Sequence, residues 1–239
     1  MKAMILAAGL GTRLKPFTDN HPKALAIVNG KTLLQRNIEY LGGFGIKDVI
    51  VNIHHFPEQI KELVEKNKGF GSNISFSDES NEVLETGGGL KKAAWFFEGE
   101  KEPFVLMNVD ILTSLNLHEM IACHNNEKPL ATLAVSVRFT SRYFLFDERD
   151  YLSGWKNTKT GEQIMVRQAE KLTEKAFSGI HVISPKIFSL IKLKGKFSLV
   201  DLYLGLAKSN IIFAYTHSNS KFIDVGKPES ILKAEKLFK

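Results

Sequence analysis

The sequence predicts an α/β fold with a mostly parallel central sheet flanked by helices. Three observations carry that expectation. Short apolar runs end in glycine or aspartate, stretches with helical spacing stand between them, and the two alternate through the first half of the chain. Strands buried on both faces read as continuous apolar runs, and parallel strands need a crossover, usually helical, to connect them.

In order, Lys2–Ala8 is an apolar run that leaves through Gly9 and Gly11, as a buried parallel strand should. Thr32–Phe44 places Leu33, Leu34, Ile38 and Leu41 near helical spacing. Asp48–Ile53 reads as a second strand, and Pro57–Lys66 as a helix with proline in its first turn. Asn73–Ser77 is a third strand, Gly89–Phe97 a helix, and Phe104–Val109 a buried strand that stops at Asp110. The second half is less regular. Strands are expected at Leu130–Arg138, Tyr143–Phe146, Tyr151–Lys156, Phe177–Ile183, Ile211–Tyr215 and Phe222–Val225. Pro185–Ile191, Ser198–Lys208 and Lys227–Phe238 have helical patterns. No Pro-, Gly- or Ser-rich linker and no internal repeat interrupts the chain. The expectation is one domain over residues 1–239, with about 140–185 contributing a smaller lobe.

Composition excludes several classes. With 44% apolar and 24% charged residues in 239, the chain matches soluble globular averages and can bury a sizeable core. Cys123 stands alone, so no internal disulfide forms, and no Cys/His cluster has zinc spacing. The apolar run after Lys2 is too short for an export signal, and no stretch reaches the eighteen or so apolar residues of a membrane span. A soluble, cytoplasmic protein is expected. The net charge of +6 is dispersed beside acids, as in Lys61-Glu62, Glu65-Lys66 and Glu235-Lys236, so no nucleic-acid stripe is expected. A mild positive field also suits phosphate-bearing substrates.

Two constellations carry chemistry. Leu6-Ala7-Ala8-Gly9-Leu10-Gly11-Thr12-Arg13-Leu14 leaves the first strand through small residues. Such a turn lets backbone N–H groups approach a phosphate, or serves only as a tight strand exit. It lacks the Gly-Lys-Ser/Thr ending of a Walker loop and the third glycine of the dinucleotide fingerprint. Arg13 offers a bidentate phosphate contact, and Lys23, in Pro22-Lys23-Ala24-Leu25, a second cation. Asp110 and Asp224 each end an apolar strand, at the carboxyl edge where open α/β sheets bind ligands. Each alone is also a common turn or N-cap residue, whereas the two together suit a Mg²⁺ that also binds substrate phosphates.

On these residues the chain resembles the sugar-1-phosphate nucleotidyltransferases. Leu6–Pro16 looks like the signature loop, and Pro22-Lys23-Ala24-Leu25 like the Pro-Lys-x-Leu motif. Glu82-Val83-Leu84-Glu85-Thr86-Gly87-Gly88-Gly89 resembles the loop that cradles the nucleobase. Asn108-Val109-Asp110 and Phe222-Ile223-Asp224-Val225-Gly226 resemble the two metal motifs, and Phe177-Ser178-Gly179-Ile180 the sugar-facing strand. Glu170-Lys171-Leu172 matches only two residues of the family's Glu-Lys-Pro, and the hexapeptide β-helix of bifunctional relatives is missing, so a catalytic core alone is expected.

The resemblance implies a Rossmann-like, glycosyltransferase-A-like fold with a smaller sugar-binding lobe. It implies Mg²⁺-dependent transfer of a nucleoside monophosphate from a nucleoside triphosphate to a sugar 1-phosphate. Ala7, Ala8, Gly9, Gly11, Thr12, Arg13, Glu82, Thr86 and Gly87 would meet the nucleotide, with Arg13 and Lys23 catalytic. Lys23, Asn108, Ser178 and Gly179 would meet the sugar phosphate, and Asp110 and Asp224 the metal. The closest likeness is to members that transfer uridylate to N-acetylmuramate 1-phosphate. Guanylyl transfer to mannose 1-phosphate, cytidylyl transfer to choline phosphate, and a catalytically silent nucleotide-sugar sensor stay open.

Overall fold

The computed structural model describes all 239 residues. The elements in chain order are β1 (Lys2–Leu6), β2 (Ile27–Val28), β3 (Lys31–Thr32), α1 (Leu33–Gly43), β4 (Asp48–Ile53), α2 (Pro57–Lys66), β5 (Asn73–Asp78), α3 (Glu85–Lys92), β6 (Phe104–Asn108), β7 (Ile111–Thr113) and α4 (Leu117–Glu127). There follow β8 (Ala131–Ser136), β9 (Arg142–Phe146), β10 (Leu152–Asn157), β11 (Gln163–Met165), β12 (Thr173–Ile183), the single turn α5 (Ile187–Leu190), α6 (Leu199–Ala207), β13 (Ile212–Thr216), β14 (Phe222–Asp224) and α7 (Pro228–Leu237).

The parallel heart of the sheet is β5-β4-β1-β6. Its strands bury alternate residues toward opposite faces. Ala3, Ile5, Val49, Val51, Val105 and Met107 join one core of 30 buried residues, while Met4, Leu6, Ile50 and Leu106 join another of 26. Two cores of similar size are what a sheet covered on both faces requires. Beyond β6 the sheet turns antiparallel through β12, which pairs β6, β8 and β9, and β10 and β11 extend it at the far edge.

One directional consequence positions the site. β12 runs against β6, β8 runs against β12, and β13 is parallel to β8. The ends of β5, β4, β1, β6, β8 and β13 therefore all open on the same edge of the sheet, although they belong to both halves of the chain.

Three local expectations change. The helix expected at Gly89–Phe97 begins at Glu85, passes through three glycines, and gives way at Ala93–Phe97 to a 3₁₀ stretch. The helix at Pro185–Ile191 shrinks to one turn. β7 and α4, absent from the sequence reading, follow Asp110; α4 opens with Asn116, whose side chain accepts from the His118 N–H.

Candidate active site

The first metal-motif aspartate is held by backbone bonding on both sides. The Val109 N–H donates to the Leu6 carbonyl at 3.1 Å, tying the turn after β6 to β1. On the other face the buried Asn37 amide of α1 donates to the Val109 carbonyl at 2.8 Å. The chain then enters β7, which pairs antiparallel with β14 so that Asp224 stands opposite Ile111. The Val225 N–H completes the junction by donating to the Asp110 carbonyl at 2.8 Å. Two aspartates 114 positions apart thus become neighbours through main-chain pairing, before any side chain is considered.

Cations gather around them. The Lys23 ammonium pairs with the Asp110 carboxylate, and the two side chains are only 12% and 14% exposed. A Cβ on Gly226 would lie 2.6 Å from Asp224 Oδ1 and 2.8 Å from the Arg13 guanidinium, so glycine lets both groups crowd this turn. Although Asp224 is exposed at the surface, desolvation by its neighbours and then the negative charge of Asp110 push its carboxyl above its ordinary range, while Lys23, Arg13 and Arg138 pull the other way. The donor set is hard carboxylate oxygen, brought together by the β7–β14 pairing. Asp110 and Asp224 therefore fit a divalent cation such as Mg²⁺.

On the nucleotide side, a relay fixes the glycine turn. The Ala7 N–H donates to Asn52 Oδ1 at 2.7 Å. The Asn52 amide donates to Glu79 Oε1 at 2.7 Å, and the Leu84 N–H to Glu79 Oε2 at 3.1 Å. A wholly buried carboxylate from the end of β5 thereby ties the turn after β1 to the entry of α3. Ala7, Ala8, Gly9, Lys23, Glu85, Thr86, Asn108 and Asp110 are among the residues lining the cleft between them. No atom lies within 4 Å of where a Gly9 Cβ would point, which leaves that backbone open to a ligand. Gly11, at φ 62°, starts the 3₁₀ turn that carries Thr12 and Arg13, and packs closely on Thr18 and Lys23.

Several expected contacts are redirected. The Gly87 and Gly88 N–H groups both donate to the Phe197 carbonyl, at 2.9 and 3.1 Å, and a Gly87 Cβ would lie 2.5 Å from the Phe197 ring. Gly87 thus packs on Phe197; the glycines let α3 press against the Gly195–Ser198 segment despite their low helix propensity. Thr86 lines the cleft, but its hydroxyl accepts from the Leu199 N–H at 2.8 Å. Glu82 is exposed outside the cleft lining.

Ser178 is fully buried, with its hydroxyl 2.8 Å from His217 Nε2. Gly179 adopts φ 71° where the β12–β8 register slips between Phe177 and His181. A Cβ there would lie 2.7 Å from Ile111 and 3.1 Å from the Asn108 amide. The bulge brings the β12 backbone directly against the Asp110 turn. Glu170 and Lys171 are exposed on the segment before β12.

Ala7, Ala8, Gly9, Lys23, Asn108 and Asp110 line one cleft, with Arg13 and Asp224 together at the Gly226 turn; Glu82 stands outside that lining, Gly87 packs on Phe197 and Ser178 bonds His217. Sequence reasoning missed Asn37, Asn52, Glu79, Arg138 and His217. Asn37 and Asn52 carried a signal, since each is a lone polar residue within an apolar pattern. Glu79 carried none.

Known proteins match along the whole chain. It is 27% identical over 240 residues to the mannose-1-phosphate guanyltransferase of Yarrowia lipolytica, covering 100% of this chain and 64% of that one. It is 30% identical to the N-acetylmuramate alpha-1-phosphate uridylyltransferase of Caulobacter vibrioides, covering 98% and 95%. Among solved structures, HddC from Yersinia pseudotuberculosis complexed with GMP-PN superposes with a TM-score of 0.78 at 26% identity, covering 100% and 99%. The family model described as Nucleotidyl transferase matches residues 2–239, and the chain belongs to that family.

Proposed function

We propose that this chain transfers a nucleoside monophosphate from a nucleoside triphosphate to a sugar 1-phosphate, with UTP as donor and N-acetylmuramate 1-phosphate as acceptor. The observation that carries the reading is the Asp110–Asp224 junction beside Lys23, at the mouth of the β1 glycine turn. The substrate choice draws on the Caulobacter relative, which this chain matches over 95% of its length. Guanylyl transfer to mannose 1-phosphate is the second reading, favoured by the name of the Yarrowia relative and by the GMP-PN bound to HddC.

In the proposed reaction an oxygen of the sugar 1-phosphate attacks the α-phosphorus in line. The new O–P bond forms as the bond to the β-phosphate oxygen breaks, and the electron pair leaves with pyrophosphate. A phosphate dianion is already nucleophilic, so no general base is required, and positioning and electrostatics are the main catalytic terms. Mg²⁺ held by Asp110 and Asp224 would offset triphosphate charge when bound. The open backbone at Gly9 cradles the phosphates, Arg13 meets the β/γ end, and Lys23 turns from Asp110 to the reacting phosphate. Asn108 and the Gly179 backbone edge the acceptor. No helix is long and apolar enough to cross a membrane, and a cytoplasmic setting fits the lone cysteine.

Pyrophosphate release with four nucleoside triphosphates against a panel of sugar 1-phosphates, in Mg²⁺, tests this. UTP with N-acetylmuramate 1-phosphate should give the highest kcat/KM. A higher value for GTP with mannose 1-phosphate would replace the substrate pair, and no release with any pair would favour the silent sensor.

A further inference from the structure

Arg138 follows β8 and stands at the shared sheet edge, two strands beyond β6 on the side away from the nucleotide cleft. Its guanidinium donates through Nη2 to the Phe177 carbonyl and lies 4.9 Å from the centroid of the Phe222 ring. Phe177 precedes Gly179 by two residues and Phe222 precedes Asp224 by two, so the group is braced between the strands that carry those residues to the cleft.

What Arg138 lacks is a direct ion pair. Asp224 acts on it from a distance, no carboxylate lies within 4 Å, and its Nε is buried with no hydrogen-bond partner. Arg36 and Arg167 offer a contrast. Each has its guanidinium satisfied by two bonds to main-chain carbonyls, on Val28 and on Ala207 and Asn210 respectively. A half-buried cation with no direct ion pair and an unmet donor is costly to keep even with Asp224 nearby, and its planar fork matches a carboxylate or a phosphate. The aromatic ring and the Phe177 carbonyl fix its orientation before any ligand arrives.

We propose that Arg138 is an oxyanion-binding residue for the acceptor, holding an anionic group of the sugar phosphate on the β12–β8–β13 side of the cleft. This deepens the nucleotidyl-transfer reading and rests on it for the identity of the ligand. The anion is either the anomeric phosphate or a carboxylate carried by the sugar.

The test compares wild type, R138K and R138Q on glucose 1-phosphate, glucuronate 1-phosphate, mannose 1-phosphate and N-acetylmuramate 1-phosphate. R138Q loses the charge and keeps a polar amide; R138K keeps the charge and loses the fork. Loss of one charge-assisted contact should raise KM for the acceptor roughly 10- to 100-fold in R138Q, with KM for the nucleotide within about 2-fold of wild type. R138K should fall between. An equal loss on every sugar identifies the phosphate, and a loss confined to the two acidic sugars identifies a carboxylate. Acceptor affinity that does not change, or acceptor and nucleotide KM values that rise together, would overturn the proposal. Calorimetric binding of the same sugar phosphates without nucleotide separates this from the activity itself. Weakened binding in R138Q without any turnover in the wild type would sink the transferase reading and keep the subsite. Binding no tighter in wild type than in R138Q would sink the subsite.

Discussion

The two halves of the sheet edge are built differently. The nucleotide half, β5-β4-β1-β6, is parallel and is tied together by one short polar relay, Ala7–Asn52–Glu79–Leu84. The acceptor half, β12-β8-β13 with β9 and β10, is antiparallel and interleaved, and buries a larger set of polar side chains. Lys175 there bonds Asp150 at 2.5 Å and Thr216 at 2.9 Å; His181 sits 2.9 Å from the Tyr203 hydroxyl, and His217 links Ser178 to Ser220. The difference teaches that the first half turns its backbone and charged side chains toward the cleft, and that the second spends most of its polar side chains on bracing its own interior. The Asp110–Asp224 junction is where they meet.

The largest expected effect falls on that junction. Asp110→Asn or Asp224→Asn should lower kcat by roughly 10³-fold with the fold retained, because charge is removed where transition-state charge is to be balanced. Circular dichroism alongside pyrophosphate release checks both clauses. Lys23→Ala should cost roughly 10²-fold in kcat/KM, the scale of one preorganised electrostatic contact. An unchanged value would leave Lys23 as a mere partner for Asp110.

A sharper contrast comes from Glu79. Glu79→Ala leaves the Asn52 amide and the Leu84 N–H unpaired in the interior, at a cost of about 2–4 kcal/mol. The account expects KM for the nucleotide to rise in that variant while KM for the acceptor holds. Equal rises would mean that the relay supports the whole cleft and not one half.

The acceptor half also sets acid sensitivity. Burial lowers the pKa of His181 to about 3 and that of His124 to about 4. The unfolded chain therefore binds more protons below its ordinary histidine value of about 6.5, and stability is lost as pH falls from there toward 3. His181→Phe should flatten that slope in denaturant titrations at pH 7 and pH 4.5. The smallest effect is at Asp224. Its raised pKa means that ionisation opposes folding as pH rises, so Asp224→Asn should lift the thermal midpoint without metal by about 1–2 °C, a modest shift because solvent screens the group.

These contrasts also explain what the sequence made legible. Apolar runs ending at Asp110 and Asp224 were readable because buried strands impose continuous hydrophobicity and their ends impose polarity. β4 and α2 have the bounds their patterns predict. The helix through Gly87–Gly89 was not readable, because its glycines answer to Phe197, Gly195 and Glu79, which only tertiary packing brings near. The burial of Ser178 was unreadable for the same reason: in a bulged strand the face of each residue no longer follows simple alternation. Arg138 looked like the polar end of an alternating strand, and nothing local marks it as lacking a direct ion pair.

A double-mutant cycle on Asp110 and Asp224, read as kcat in saturating Mg²⁺, tests most directly whether the two halves share one catalytic centre. Residues that act as a unit lose their effect together, so the D110N/D224N variant should be about as slow as the worse single variant. Losses that multiply independently would mean that the two carboxylates serve separate ends, and the single-centre account would fall.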